Sequence, residues 1–178
     1  MHTFVVRHLM PIIACVVPSV ATAQWRVSVE PAGAGRLTTV TAVTRAAADS
    51  VAGDALPVSL VVRCADRQLE AFITTRDQLD SDTNGDVHVR VQSDSARPRD
   101  ARWQATKANT GAFVPTPELR DLIQRSILRA HVLRVTASAL KLGRVTYTFP
   151  VAGFGQSLDA LRDACPGERG GALAEPGR

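Results

Sequence analysis

The strongest chemical signature in the chain is Asp80-Ser81-Asp82-Thr83-Asn84-Gly85-Asp86. An EF-hand calcium loop also opens Asp-x-Asp-x-Asn-Gly, with oxygen ligands spaced to wrap one cation. The match ends there. With Asp80 at position 1, position 12 is Val91, so the bidentate glutamate that closes the calcium shell is absent. The flank is wrong as well, because Val87–Gln92 alternates as a strand where an EF-hand needs a helix. Asn84-Gly85 is instead a pair suited to left-handed backbone. It predicts a type I′ turn connecting a strand at Leu69–Ile73 to one at Val87–Val91.

No other constellation assembles. Beyond the N-terminal segment the histidines are His88 and His131, and neither stands at a metal-ligand spacing. There is no Gly-x-Ser-x-Gly elbow. Gly33-Ala34-Gly35 and Gly153-Phe154-Gly155 lack a phosphate-loop or dinucleotide fingerprint and read as turns. Glu30, Glu70 and Glu118 each have a simple surface or capping explanation. The chain therefore reads as a non-enzyme with no cofactor and no metal. Arg97, Arg99 and Arg102, in a stretch read as a loop over Ser93–Arg102, are the candidate contacts to a partner or an anion.

The N-terminus has the pattern of an export signal. Arg7 and His8 precede an apolar run from Leu9 to Val20, and Ala21-Thr22-Ala23 is a small-x-small cleavage site. Residues 1–23 are expected to be removed after Ala23, leaving a periplasmic or secreted protein. Ile12-Ile13-Ala14-Cys15 offers a lipoprotein alternative. No apolar run in the sequence is long enough for a membrane-spanning helix. Removing Arg7 takes the net charge from +4 to +3. The arginines are scattered, which argues against a nucleic-acid partner. Two cysteines then remain, Cys64 and Cys165, and an even pair in an exported chain reads as a disulfide, with two buried thiols as the alternative.

These features need a scaffold. Residues 24–166 are the length of one domain, and the Gly, Glu, Arg and Pro of 167–178 predict a disordered tail. Strand-like alternation runs through Trp25–Val29, Leu37–Thr44, Leu69–Ile73, Val87–Gln92, Val132–Thr136 and Val145–Phe149. Val58–Val62 is nearly all apolar and reads as a central strand. Ala46–Ala55 reads as a loop. Thr116-Pro117-Glu118 is a helix start, with Leu119, Leu122, Ile123 and Ile127 on one face up to about Ala130. Ser157 caps a shorter helix that carries Leu158, Leu161 and Cys165 on one face before Pro166-Gly167. The fold class is α+β, mostly antiparallel β, a sandwich-like or partly closed sheet with two helices near the C-terminus.

Several landmarks then fall in a familiar order: Trp25-Arg26-Val27, Val58 through Arg63-Cys64, Val89 through Asp94, Trp103-Gln104-Ala105-Thr106, Phe149 through Gly153, and Leu161 through Cys165. From Trp25 to Cys165 the chain resembles the VasI/TagO family of small periplasmic proteins associated with type VI secretion. The resemblance implies an accessory of an envelope-spanning machine and supplies no catalytic residues. Arg63, Arg90 and Trp103 match recurrent positions, to which it gives structural roles. The acidic turn, the arginine-rich stretch and the tail depart from the pattern. The first expectation is thus a non-catalytic adaptor with a protein partner in the cell envelope. The alternatives are a hydrolase or binder of envelope polymers, and an inhibitor or immunity-type protein with a protruding Ser93–Arg102 loop.

Overall fold

The computed structural model describes residues 25–32, 37–46, 58–168 and 172–173. The signal peptide with its lipobox alternative, the Gly33-Ala34-Gly35 turn and most of the Ala46–Ala55 loop lie outside them. The strands are β1 (Arg26–Glu30), β2 (Thr39–Arg45), β3 (Ser59–Ala65), β4 (Gln68–Thr74), β5 (Asp86–Ser93), β6 (Arg99–Ala105), β7 (Gly111–Phe113), β8 (Val132–Ala139) and β9 (Gly143–Pro150). All pairings are antiparallel, in one sheet ordered β1-β2-β3-β4-β7-β6-β5-β8-β9. The expected fold class is the one found.

Period-two alternation decides which side of the sheet is dry. Val40 and Ala42, Leu60 and Val62, Leu69, Ala71 and Ile73, Val87, Val89 and Val91, Trp103, Leu133 and Val135, and Phe149 all point to the same face and are buried. Two helical segments cover it. Helix α1 (Thr116–Asp121) runs straight into a π-helical turn, Leu122–Ile127, which buries Leu122, Ile123, Ser126 and Ile127 together. Helix α2 (Leu158–Ala164) follows a 3-10 turn over Phe154–Ser157. The sheet curls around them until its ends approach: Thr44 Oγ1 on β2 donates to the Pro150 carbonyl on β9 at 2.8 Å. Trp25 closes the same gap, donating to the Val151 carbonyl at 3.1 Å and resting 4.7 Å from the Phe154 ring.

Cys64 and Cys165 form a disulfide with Cα atoms 5.8 Å apart, both fully buried. It ties β3 to the end of α2, as the shared face of Leu158, Leu161 and Cys165 requires.

Four expectations are corrected. First, β4 and β5 are not paired. β4 lies between β3 and β7, and β5 between β6 and β8. The chain between them crosses the sheet, with Leu79 bridging to Ala139 and the Asp80 amide donating to the Ser138 carbonyl at 2.8 Å. The turn itself is present, but only Gly85 is left-handed (φ 82°), so it is not type I′. The Gly85 amide donates to the Asp82 carbonyl at 3.0 Å and the Asp82 amide to the Asp86 carbonyl at 2.9 Å, a three-residue loop. The type I′ turn occurs instead at Asp66-Arg67 between β3 and β4, where both φ values are positive, 51° and 63°.

Second, half of Ser93–Arg102 is strand and not loop: Ser93 ends β5, Arg99 begins β6, and only a short turn separates them. Third, Thr116 is not the N-cap. Pro115 holds that place with φ −60° and ψ 142°, and its carbonyl accepts the Glu118 and Leu119 amides at 2.9 and 3.1 Å. The proline ring fixes φ, and extended ψ aims that carbonyl down the helix. Fourth, four residues of the tail expected to be disordered, Gly167, Glu168, Ala172 and Leu173, are among the described residues. Ala172 and Leu173 are buried, and their carbonyls accept from Gln124 (2.8 Å) and Arg162 (2.6 Å). Two apolar residues are too few to show periodicity, yet enough to seat a segment against helices.

Candidate functional site

The same alternation that fills the core leaves an open face opposite it. On β6, β5, β8 and β9 this face carries Asp100, Arg102 and Gln104, then Asp86, His88, Arg90 and Gln92, then Arg134, Thr136 and Ser138, then Arg144, Thr146 and Thr148. Register places them as neighbours. Arg102 stands opposite His88, Arg90 lies between Asp100 and Thr136, Thr136 faces Thr146, and Ser138 faces Arg144. A shallow groove of about 210 Å³ runs among His88, Arg90, Thr136, Ser138 and Arg144.

Four arginines and a histidine share this surface with Asp86 and Asp100. Arg90 Nε donates to Asp100 at 2.8 Å; that hydrogen bond, reinforced by the charge attraction, holds the Asp100 carboxyl below its ordinary range and raises Arg90. Asp82 borders the face 4.0 Å from His88 Nε2. Its carboxylate accepts the Asp86 amide at 3.0 Å and the Asn84 amide at 2.8 Å; the Asp86 bond is the main reason its acidity is strengthened. One carboxylate oxygen, Oδ1, accepts both amides and holds the turn. Arg134 donates to the Asp94 carbonyl at 2.9 Å. Arg102 and Arg144 make no hydrogen bond or ion pair with any described residue and stand exposed. Thr136 and Thr146 share a hydrogen bond of 2.7 Å, so hydroxyls fill the space between the cations.

The three arginines singled out from sequence do not form one site. Arg97 is in the β5–β6 turn. Arg99 lies on the helix-side face, 3.6 Å from Asp121 and 3.4 Å from the buried Ser126 hydroxyl. Arg102 alone lies on the open face. An odd and an even position on one strand cannot share a face. Arg134 and Arg144 carry no signal in the sequence because each is the one arginine of its strand, and only the order β6-β5-β8-β9 brings them onto one face with Arg102. On the helix side, Arg99, Trp103, Glu118 and Asp121 line a separate cleft of about 180 Å³, where Asp121 also meets Arg125 at 3.5 Å.

The β5–β6 turn is pinned rather than loose. Asp94, at φ 44°, accepts the Val132 amide at 2.8 Å and the His131 amide at 3.0 Å, which strengthens its acidity, the Val132 bond most of all. Asp94→Asn is expected to cost about 1 kcal/mol at neutral pH, discounted because the side chain is 39% exposed. A depressed folded-state pKa contributes stability above the unfolded value, near 4, and loses it as pH falls through the folded value. The gap between wild type and Asp94→Asn in urea melts should therefore close below about pH 4.

No family model, no curated protein and no solved structure matches this chain.

Proposed function

We propose that this chain is a non-catalytic accessory module of the cell envelope that holds an acidic protein partner against the open face of its sheet. The observation that carries this reading is the excess of arginine over acid on a face that no described helix covers, with Arg102 and Arg144 in no hydrogen bond or ion pair with any described residue. Charge of this kind steers and selects a partner of opposite sign. The shifted carboxylates support binding over catalysis. Asp82, Asp94 and Asp100 are all made stronger acids by donors around them, the reverse of what a general acid for glycoside cleavage needs. The inhibitor reading needed a protruding Ser93–Arg102 loop, and half of that stretch is strand. Export to the periplasm is part of the proposal and rests on the N-terminal sequence pattern and on the buried disulfide. The sequence resemblance supplies the setting, beside a type VI-like secretion apparatus.

The test is affinity capture from periplasmic extract with the wild-type chain and with Arg102→Glu/Arg144→Glu as baits. Exposed substitutions of this kind change stability little. The expected result is an acidic envelope protein retained by wild type at low salt, reduced about tenfold at high salt and about tenfold by the double variant. Equal recovery on both baits would remove the open face from the account. Retention of an acidic glycan with no protein would replace the adaptor by a polymer binder.

A further inference from the structure

The edge of the sheet at β1 is also exposed. All five of its residues are exposed, including Val27 at 42% and Val29 at 57%, and among the described residues its one strand partner is β2. Register against β2 sets Val27 opposite Ala42 and Val29 opposite Val40, on the helix-side face of the sheet but outside the cover the helices give. The edge does not float. Trp25, just before it, is held by the Val151 carbonyl and the Phe154 ring. A fixed strand with a free edge and two bare valines is a template for another strand.

The sequence of that edge says which strand fits it. β1 reads Arg26-Val27-Ser28-Val29-Glu30. Turned antiparallel upon itself about Ser28, it sets Arg26 against Glu30 of the second copy, Val27 against Val29, and Ser28 against Ser28. Both ends then carry opposite charges, and both apolar pairs meet on one face. A parallel pairing would put like charges side by side, and a shift of two residues would leave both charges facing serine or nothing. Neither Arg26 nor Glu30 has an ion-pair partner among the described residues. Opposite charges across an antiparallel pair stabilise it and like charges oppose it.

We propose that two copies of this chain join through their β1 edges, antiparallel about Ser28, into one continuous sheet with twofold symmetry. The contact is isologous, so it closes at two copies and does not propagate. It leaves the arginine face of each copy uncovered, and the dimer presents two such faces to a partner. Five residues a side make a small interface, so the association is weak and concentration-dependent.

Sedimentation equilibrium of the purified full chain over about 5–500 μM reads this directly. Wild type should pass from monomer to dimer within that range, in the micromolar regime typical of small contacts. Arg26→Glu and Glu30→Arg should each weaken the dimer about tenfold, because each sets like charges face to face twice. Mixed together, the two variants should form a heterodimer close to wild-type strength, since each then offers what the other lacks. That rescue also shows that both variants are folded. Wild type that stays monomeric at every concentration would overturn the proposal. A dimer indifferent to both charge changes, or a mixture that fails to recover, would overturn it equally.

Discussion

Replacing Cys64 and Cys165 together by alanine should lower stability by about 3–5 kcal/mol, the largest loss expected from any pair of substitutions in the chain. The bridge spans 101 residues of sequence, and cross-linking so long a loop removes much of the freedom of the unfolded chain. The native state loses something too. Cys64 belongs to β3, near the middle of one half of the sheet, while Cys165 ends α2, which follows β9 at the far edge. The bridge thus holds the curled sheet closed around its helices, in parallel with the Thr44–Pro150 hydrogen bond. For a domain of this size the loss should appear as a fall of about 10 °C in Tm. Both sulfurs are fully buried, so a reductant should act only after unfolding, and native protein should keep the bridge in dithiothreitol for as long as it stays folded. A loss below about 1 kcal/mol in the double variant would mean that the curl is held by packing alone.

Gly111→Ala should cost about 2–4 kcal/mol, because the glycine sits where two half-sheets are joined. Strands β1 to β4 form one run and β6, β5, β8 and β9 another, and the three residues of β7 are the ladder between them. A methyl group at Gly111 would collide with the Ile73 carbonyl oxygen on β4 and press on Thr106 Cγ2 at 3.2 Å. The carbonyl cannot swing aside without giving up its place in the β4–β7 pairing, where Ile73 stands opposite Ala112. Hydrogen exchange should show the damage as faster exchange confined to β4 and β7, with β5, β8 and β9 protected as before. A change below about 0.5 kcal/mol in chemical denaturation would show that the seam tolerates a wider strand than its geometry implies.

The seam also explains what could and could not be read from residues alone. Seven strands were legible, six because they alternate apolar and polar residues, as Val87 to Gln92 does, and Val58–Val62 because it is a short run that is nearly all apolar. β6 alternates as well, but its inward positions are Arg99, Ala101, Trp103 and Ala105 and its outward ones Asp100, Arg102 and Gln104, so charge conceals the pattern. β7 is three residues long and begins with glycine, below what any periodicity can show. Missing these two strands made β4 and β5 look like neighbours, and from that came the wrong partners for the Asn84-Gly85 turn. The disulfide was legible from an even cysteine count and a shared helix face. The open face was not. Its arginines come from four strands, and a single residue on each carries no signal until the strand order is known. A charge-rich stretch points to Arg97, Arg99 and Arg102 together, though strand parity sends Arg99 to the opposite side.

The central claim is that the uncovered arginine face is the working surface, and site-specific photocross-linking in the living envelope tests it most directly. A photoreactive residue at Thr146 reports on that face, and one at Glu118 reports on the exposed side of α1. The account predicts a discrete adduct with one acidic envelope protein from Thr146, abolished by Arg102→Glu/Arg144→Glu, and none from Glu118. A partner captured from Glu118 with nothing from Thr146 would contradict it and move the working surface to the helix-side cleft at Arg99 and Asp121.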